Sequence, residues 1–157
     1  VEFLRGMLNS RKALFAEAGL DLEFKNETGA EEFTAELDHD TITQAVTNLL
    51  QNAQRYTPAP GTVTIGLAGD EDEVRISVSD TGVGISKDNI QRVFGRFWRA
   101  EDSRNRSKGG LGVGLAVTKE IIDTHHGHID VESEVGVGTT FTLVLPRTQP
   151  TEDATEA

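Results

Sequence analysis

Apolar residues recur along this chain with two alternating periods. From Val1 to about Ala18, the residues Phe3, Leu4, Met7, Leu8, Leu14, Phe15 and Ala18 fall mostly at helical spacing, and Gly19 stands as a stop. Asp21–Glu27, with Leu22 and Phe24, reads as a strand, and Glu32–Leu37 as a second, shorter one. A strong helix follows from about Asp40 to Tyr56, closed by Thr57-Pro58-Ala59-Pro60-Gly61. Thr62–Ala68 and Glu73–Ser79 alternate around Gly69-Asp70-Glu71-Asp72, the pattern of a hairpin. Ser86 is placed to cap a short helix through Ile90, Val93, Phe94 and Phe97. Ala100–Gly110 carries no large apolar residue and reads as a mobile loop. Leu111–His126 returns to helical spacing, ending at Gly127; His128–Glu132 and Thr139–Leu145 make a last hairpin around Gly136-Val137-Gly138. This order predicts an α+β, two-layer α/β sandwich: a mixed, mostly antiparallel sheet with about three main helices on one face. Residues 1–147 are expected to form one domain, and the polar tail 148–157 to be disordered.

Three stretches break the pattern where chemistry is expected. In the Asp40–Tyr56 helix the apolar set Ile42, Ala45, Val46, Leu49, Leu50, Ala53 and Tyr56 covers one broad arc. Asn48 and Asn52 stack four apart along the border of that arc, and Arg55 continues the stripe. Mid-helix asparagines cost roughly half a kcal/mol each relative to alanine, so the stripe calls for a reason. An amide oxygen at Asn52 is a hard ligand suited to Mg²⁺, and Arg55 offers a fixed charge for a phosphate. Next, Asp80-Thr81-Gly82-Val83-Gly84-Ile85 leaves one carboxylate at the end of an alternating strand, with two glycines letting the backbone turn. Such a carboxylate suits an amine donor, as adenine carries, although alone the stretch matches an ordinary turn. Finally, Lys108-Gly109-Gly110-Leu111-Gly112-Val113-Gly114-Leu115 runs into a helix, so its N–H groups and the helix dipole form an anion site. It is neither a Walker A loop, since Leu115-Ala116 replaces Lys-Ser/Thr, nor a Rossmann fingerprint. A hinge would explain the glycines but not the helix directly after them.

Bulk properties narrow the classes. At 157 residues, 36% hydrophobic and 26% charged, the chain has the makeup of a soluble globular domain. No run has the length of a membrane span. The absence of cysteine removes disulfides and thiolate metal sites and is compatible with a cytoplasmic location. A formal charge of −11 argues against nucleic acid or anionic lipid as partner.

Taken in order, N-x-x-x-N-A, D-x-G-x-G, F-x-x-F, G-x-G-x-G-L and G-x-G-T resemble the catalytic ATP-binding domain of sensor histidine kinases, in the superfamily shared with gyrase, Hsp90 and MutL. The likeness runs from about Val1 to Pro146. It implies ATP and Mg²⁺ as ligands, with Asn52 on the metal and Asn48, Arg55 and Tyr56 near the phosphates or adenosine. Asp80 would read the adenine amine, supported by Thr139, with Gly82, Gly84 and Ile85 along the wall. Phe94 and Phe97 would anchor a lid spanning Arg99–Gly109, with residues Ala100–Gly110 expected to be disordered without nucleotide. Gly110, Leu111, Gly112, Val113, Gly114 and Leu115 would wrap the phosphates, with Arg96, Arg99 and Lys108 balancing charge; Asn48 and Arg99 are the catalytic candidates. Leu111 stands where Thr or Ser is usual, Gly95 for Glu, Trp98 for Tyr, and His126 for the first Gly of a His-Gly-Gly run. The resemblance further implies a separate dimerisation and phosphoacceptor domain and a response regulator as partners, a monomeric fragment of a homodimeric parent, and a cytoplasmic place, with membrane anchoring of the parent left open. The glutamate that activates water in gyrase-like ATPases is Asn48 here, so poor hydrolysis is expected. Three rivals stand: a true ATPase of this fold, an anti-sigma-type serine kinase, and a non-enzymatic module with a degenerate pocket. His125, His126 and His128 crowd a helix end, where they favour the dipole rather than a metal.

Overall fold

The computed structural model describes residues 1–30, 33–90 and 114–148. Its elements, in chain order, are α1 (Glu2–Glu17), β1 (Leu20–Asn26), α2 (His39–Tyr56), β2 (Gly61–Gly69), β3 (Glu73–Asp80), α3 (Lys87–Ile90), α4 (Gly114–Thr124), β4 (His128–Glu134) and β5 (Gly138–Pro146). The strands form one five-stranded sheet in the order β1-β2-β3-β5-β4. β1 pairs parallel with β2, and every other neighbour is antiparallel. A parallel pair needs a crossover, and α2 lies between the two strands in sequence. The expected mixed, mostly antiparallel sheet is what forms. α1 packs on β1, α2 over β2 and β3, and α4 against α2 and β4.

Period-two patterning makes the core. Phe24, Ile65, Val78, Phe141 and Val131 stand in register as one row across all five strands. The next row holds Leu67, Ile76, Leu143 and Ile129. Against these rows α2 turns Ile42, Ala45, Val46, Leu49, Leu50 and Ala53, all buried as its periodicity requires. Asp38 caps α2, its Oδ1 accepting from the Asp40 and Thr41 N–H groups at 3.1 and 3.3 Å.

Phe33–Leu37 is not a strand. Its alternating Phe33, Ala35 and Leu37 pack against the core instead of pairing. Phe33 is buried under the Arg147 guanidinium, which lies 4.0 Å from the ring centroid. The Glu36 N–H reaches the Arg147 carbonyl at 2.8 Å, and the Arg147 Nε donates back to the Thr34 carbonyl at 2.7 Å. Isolated contacts of this kind replace a ladder. An apolar hollow of about 700 Å³ lies here, lined by Phe3, Phe33, Leu37, Ile42 and Ile76 among others. The continuation of the α3 helix through Val93, Phe94 and Phe97, the loop Ala100–Gly110, residues Leu111–Val113 and the tail beyond Thr148 lie outside the described residues.

α4 ends in a Schellman turn. The Gly127 N–H bonds to the Ile122 carbonyl and the His126 N–H to that of Asp123, both at 3.0 Å. His126, exposed, holds φ at +63°, a left-handed conformation that glycine adopts without strain. The departure from a His-Gly-Gly run therefore carries a backbone cost. His126→Gly is expected to raise the unfolding free energy by roughly 0.5–1 kcal/mol, the left-handed penalty less glycine's extra chain entropy. Urea unfolding checks this, and a lowered midpoint would contradict it.

Candidate functional site

Continuing the inward-facing positions of β3 from Val74, Ile76 and Val78 leads to Asp80. It stands in register with Val63 on β2 and Thr139 on β5, and Thr139 faces Ser133 on β4. The third row of the sheet thus begins apolar, at Leu22 and Val63, and ends polar. Asp80 occupies a position that the strand pattern gives to an aliphatic side chain. Its Oδ1 accepts from the Gly82 N–H at 2.9 Å and from the Thr139 N–H at 3.2 Å. Desolvation pushes its carboxyl above the ordinary value of 3.8, and the two N–H donors offset only part of that rise.

The Thr81–Ile85 turn is fastened to both neighbours. The Val83 N–H donates to the Tyr56 carbonyl at 3.0 Å, joining the turn to the end of α2. The Ile85 N–H donates to Ser133 Oγ at 2.6 Å. That hydroxyl in turn lies 3.1 Å from the Gly138 carbonyl and 2.7 Å from Thr139 Oγ1. Ser133 has one proton, so if it donates to Gly138, Thr139 donates to it. Two glycines permit this closeness. A Cβ on Gly82 would collide with the Tyr56 carbonyl and stand 2.9 Å from both Asp80 Oδ1 and Thr57 Oγ1. Gly84 sits at φ +76°, and a Cβ there would collide with the Glu134 carbonyl. Thr57 Oγ1 is buried and has no hydrogen-bond partner among the described residues.

α2 and α4 run antiparallel along a seam with two polar ties. At one end the Asp38 N–H donates to His125 Nε2 at 3.1 Å, while His125 Nδ1 lies 2.9 Å from the Ile121 carbonyl. Nε2 accepts, so the ring proton is on Nδ1 and the imidazole is neutral. Midway along, Asn48 Nδ2 donates to Thr118 Oγ1 at 3.2 Å. One more turn along each helix brings Asn52 to the Gly114 end of α4, where the helix dipole is positive.

The structure thus gathers Asp80, Gly82, Gly84, Ile85 and Thr139 around one strand end. It joins them to Tyr56 through that residue's carbonyl, and sets Asn48, Asn52 and Arg55, all half-buried, along α2. Leu115 is buried in the core next to Gly114. Arg96, Arg99, Lys108, Gly110, Leu111, Gly112 and Val113 lie outside the described residues. The hollow beside Phe33 is at the other end of the sheet, touching the Leu67 end of β2 and the Val74 end of β3. Ser133, Thr57 and Thr118 were not anticipated from the sequence. For Ser133 the signal was present: it continues the inward alternation Ile129, Val131 and has the register of Thr139. The three clustered histidines have separate employments. His125 is buried between two helices, His126 carries the Schellman turn, and His128 lies exposed on β4.

The profile of the family described as histidine kinase-, DNA gyrase B- and HSP90-like ATPases matches residues 37–149. The chain is 40% identical over 134 residues to the sensor histidine kinase WalK of Bacillus subtilis, covering 84% of this chain and 22% of that protein. It therefore spans about a fifth of the length of that relative. Among solved structures, the nucleotide-free catalytic domain of the histidine kinase ThkA is similar over 94% of this chain and 93% of that one, at 27% identity and a TM-score of 0.80. Full-length ShkA in complex with AMPPNP is similar at 26% identity and a TM-score of 0.80, over 96% of this chain and 30% of that one.

The raised carboxyl of Asp80 has a signed consequence. Its folded-state value exceeds the unfolded 3.8, so the folded protein holds the proton more tightly. The associated stability is full below 3.8 and is lost as pH rises through the folded value. Asp80→Asn keeps an acceptor oxygen without the charge, and its stability relative to the parent is expected to improve as pH rises from 3.8 through the folded value and then to level off. Urea midpoints of both proteins across that range provide the measurement; a gap that is flat or runs the other way would dismiss the desolvated carboxylate.

Proposed function

The chain belongs to the histidine kinase-, DNA gyrase B- and HSP90-like ATPases, and on that footing we propose that it is the Mg-ATP-binding catalytic domain of a sensor histidine kinase. In this reading it passes the γ-phosphoryl group of ATP to a histidine on a separate dimerisation and phosphoacceptor domain. The observation that carries the proposal is Asp80: an inward-facing, desolvated carboxylate, oriented by the N–H groups of Gly82 and Thr139. The exocyclic amine of adenine is the donor such an acceptor fits, and a half-buried, desolvated acceptor built for an N–H discriminates against a base that lacks it.

The polyphosphate end would lie along the α2 stripe. Asn52 offers a hard oxygen suited to Mg²⁺, which tolerates few protein ligands and keeps its waters. When bound, the ion would neutralise charge on the β- and γ-phosphoryl oxygens. Arg55 and Asn48 would face those oxygens, and Tyr56 the adenosine. The positive end of the α4 dipole supports anion binding where Gly110, Gly112 and Gly114 lead into the helix. Arg96, Arg99 and Lys108 are the further cations of this reading. An amide at Asn48 cannot take a proton from water, so the site favours transfer to a presented acceptor over hydrolysis. None of His39, His125, His126 and His128 lies in the sequence context of a phosphoacceptor.

The partners of this reading are the phosphoacceptor domain of the same kinase, as a homodimer, and a response regulator downstream. Among the described residues no helix is long and apolar enough to cross a membrane. The proposed location is the cytoplasmic side.

Thermal unfolding with and without Mg-ATP tests the nucleotide assignment. At a hundred times its dissociation constant the ligand is expected to stabilise the parent by about 2.7 kcal/mol, and Asp80→Ala to lose most of that gain. An undiminished shift in the variant would remove Asp80 from base recognition. Labelled phosphate appearing on an added phosphoacceptor domain, with little free phosphate, tests the kinase assignment; rapid hydrolysis with no transfer would overturn it.

A further inference from the structure

We propose that Thr118 on α4 is a positioning residue that fixes the amide of Asn48. Thr118 is fully buried, on a helix whose other inward residues, Leu115, Ile121 and Ile122, are aliphatic. A hydroxyl in such a place is costly unless bonded. Its Oγ1 accepts from Asn48 Nδ2 at 3.2 Å. That bond sets which end of the amide faces α4 and turns the oxygen end away from it.

The seam makes the setting rigid. Nearly three turns back along α2, the Asp38–His125 bond ties the same two helices, so sliding α4 past Asn48 would break a partly buried bond to the buried His125. Thr118 also stands one turn after Gly114, the first residue of α4, and the glycine cluster lies directly before that residue in sequence. In this proposal Thr118 contacts Asn48 and not the ligand itself. It acts through Asn48, and the inference rests on the reading that Asn48 lies beside the phosphates.

The test compares binding of Mg-ATP and of adenosine, which lacks phosphates, to this chain and to Thr118→Val, Thr118→Ser, Asn48→Ala and the Thr118→Val/Asn48→Ala double variant. Thr118→Val keeps the shape and removes the hydroxyl. It is expected to weaken Mg-ATP about fivefold to tenfold, the worth of one hydrogen bond, while adenosine affinity holds. Thr118→Ser should stay close to the parent, and in the Asn48→Ala background Thr118→Val should add nothing. An equal loss for adenosine, or losses that simply add in the double variant, would overturn the proposal by showing a general loosening of the fold. So would an unaffected Thr118→Val beside a weakened Asn48→Ala. Should Asn48→Ala itself leave Mg-ATP affinity intact, it is the placement of Asn48 that fails, and the role of Thr118 falls with it.

Discussion

One carboxylate is held where the sheet would otherwise bury an aliphatic side chain, and the local structure answers to it. Asp80 shares its face with Val74, Ile76 and Val78, yet charge in such a place is unfavourable without donors. Two backbone N–H groups, from the turn after β3 and from β5, supply them. Both donors depend on glycine-rich turns that allow the backbone to come close, and Ser133 fastens one turn to the other. The carboxylate remains incompletely compensated, its proton affinity above that of a free aspartate. A residue kept at a cost to the fold is one that a ligand can repay.

The second half of the site is organised by helices. α2 buries one arc in the sheet and turns Asn48 toward α4, and Asn52, half-buried like Asn48, continues the border of that arc. The neutral imidazole of His125 and the hydroxyl of Thr118 are placed at intervals along that boundary. Strand end and helix stripe meet where the Tyr56 carbonyl takes the Val83 N–H, and through that bond the two halves share one frame.

How much of this was legible in the residues depended on the range of each interaction. α2 was readable to its last buried position because a helical arc is a local pattern. The strand before Asp80 was readable for the same reason, and counting by two from Val74 already puts Asp80 inward. Ser133 needed the register of two strands, and Thr118 needed the antiparallel placement of two helices; a threonine on a helix says nothing of its opposite number. Phe33–Leu37 misled because alternation reports two sides, not pairing. There a cation stacked on Phe33 and bonds to Arg147, far away in sequence, took the place of a partner strand.

The rows across the sheet have a consequence for how errors in assembly are felt. Side chains in a strand swap faces with every residue, so a slip of one position between β3 and β5 would turn Phe141 and Leu143 outward. The same slip would part Asp80 from Thr139. Core and proposed base-reading pair are written in a single alignment, and neither can be misthreaded while the other survives. On the proposed assignment, a molecule able to hold its ligand has by that fact alone been proofread along its central strands.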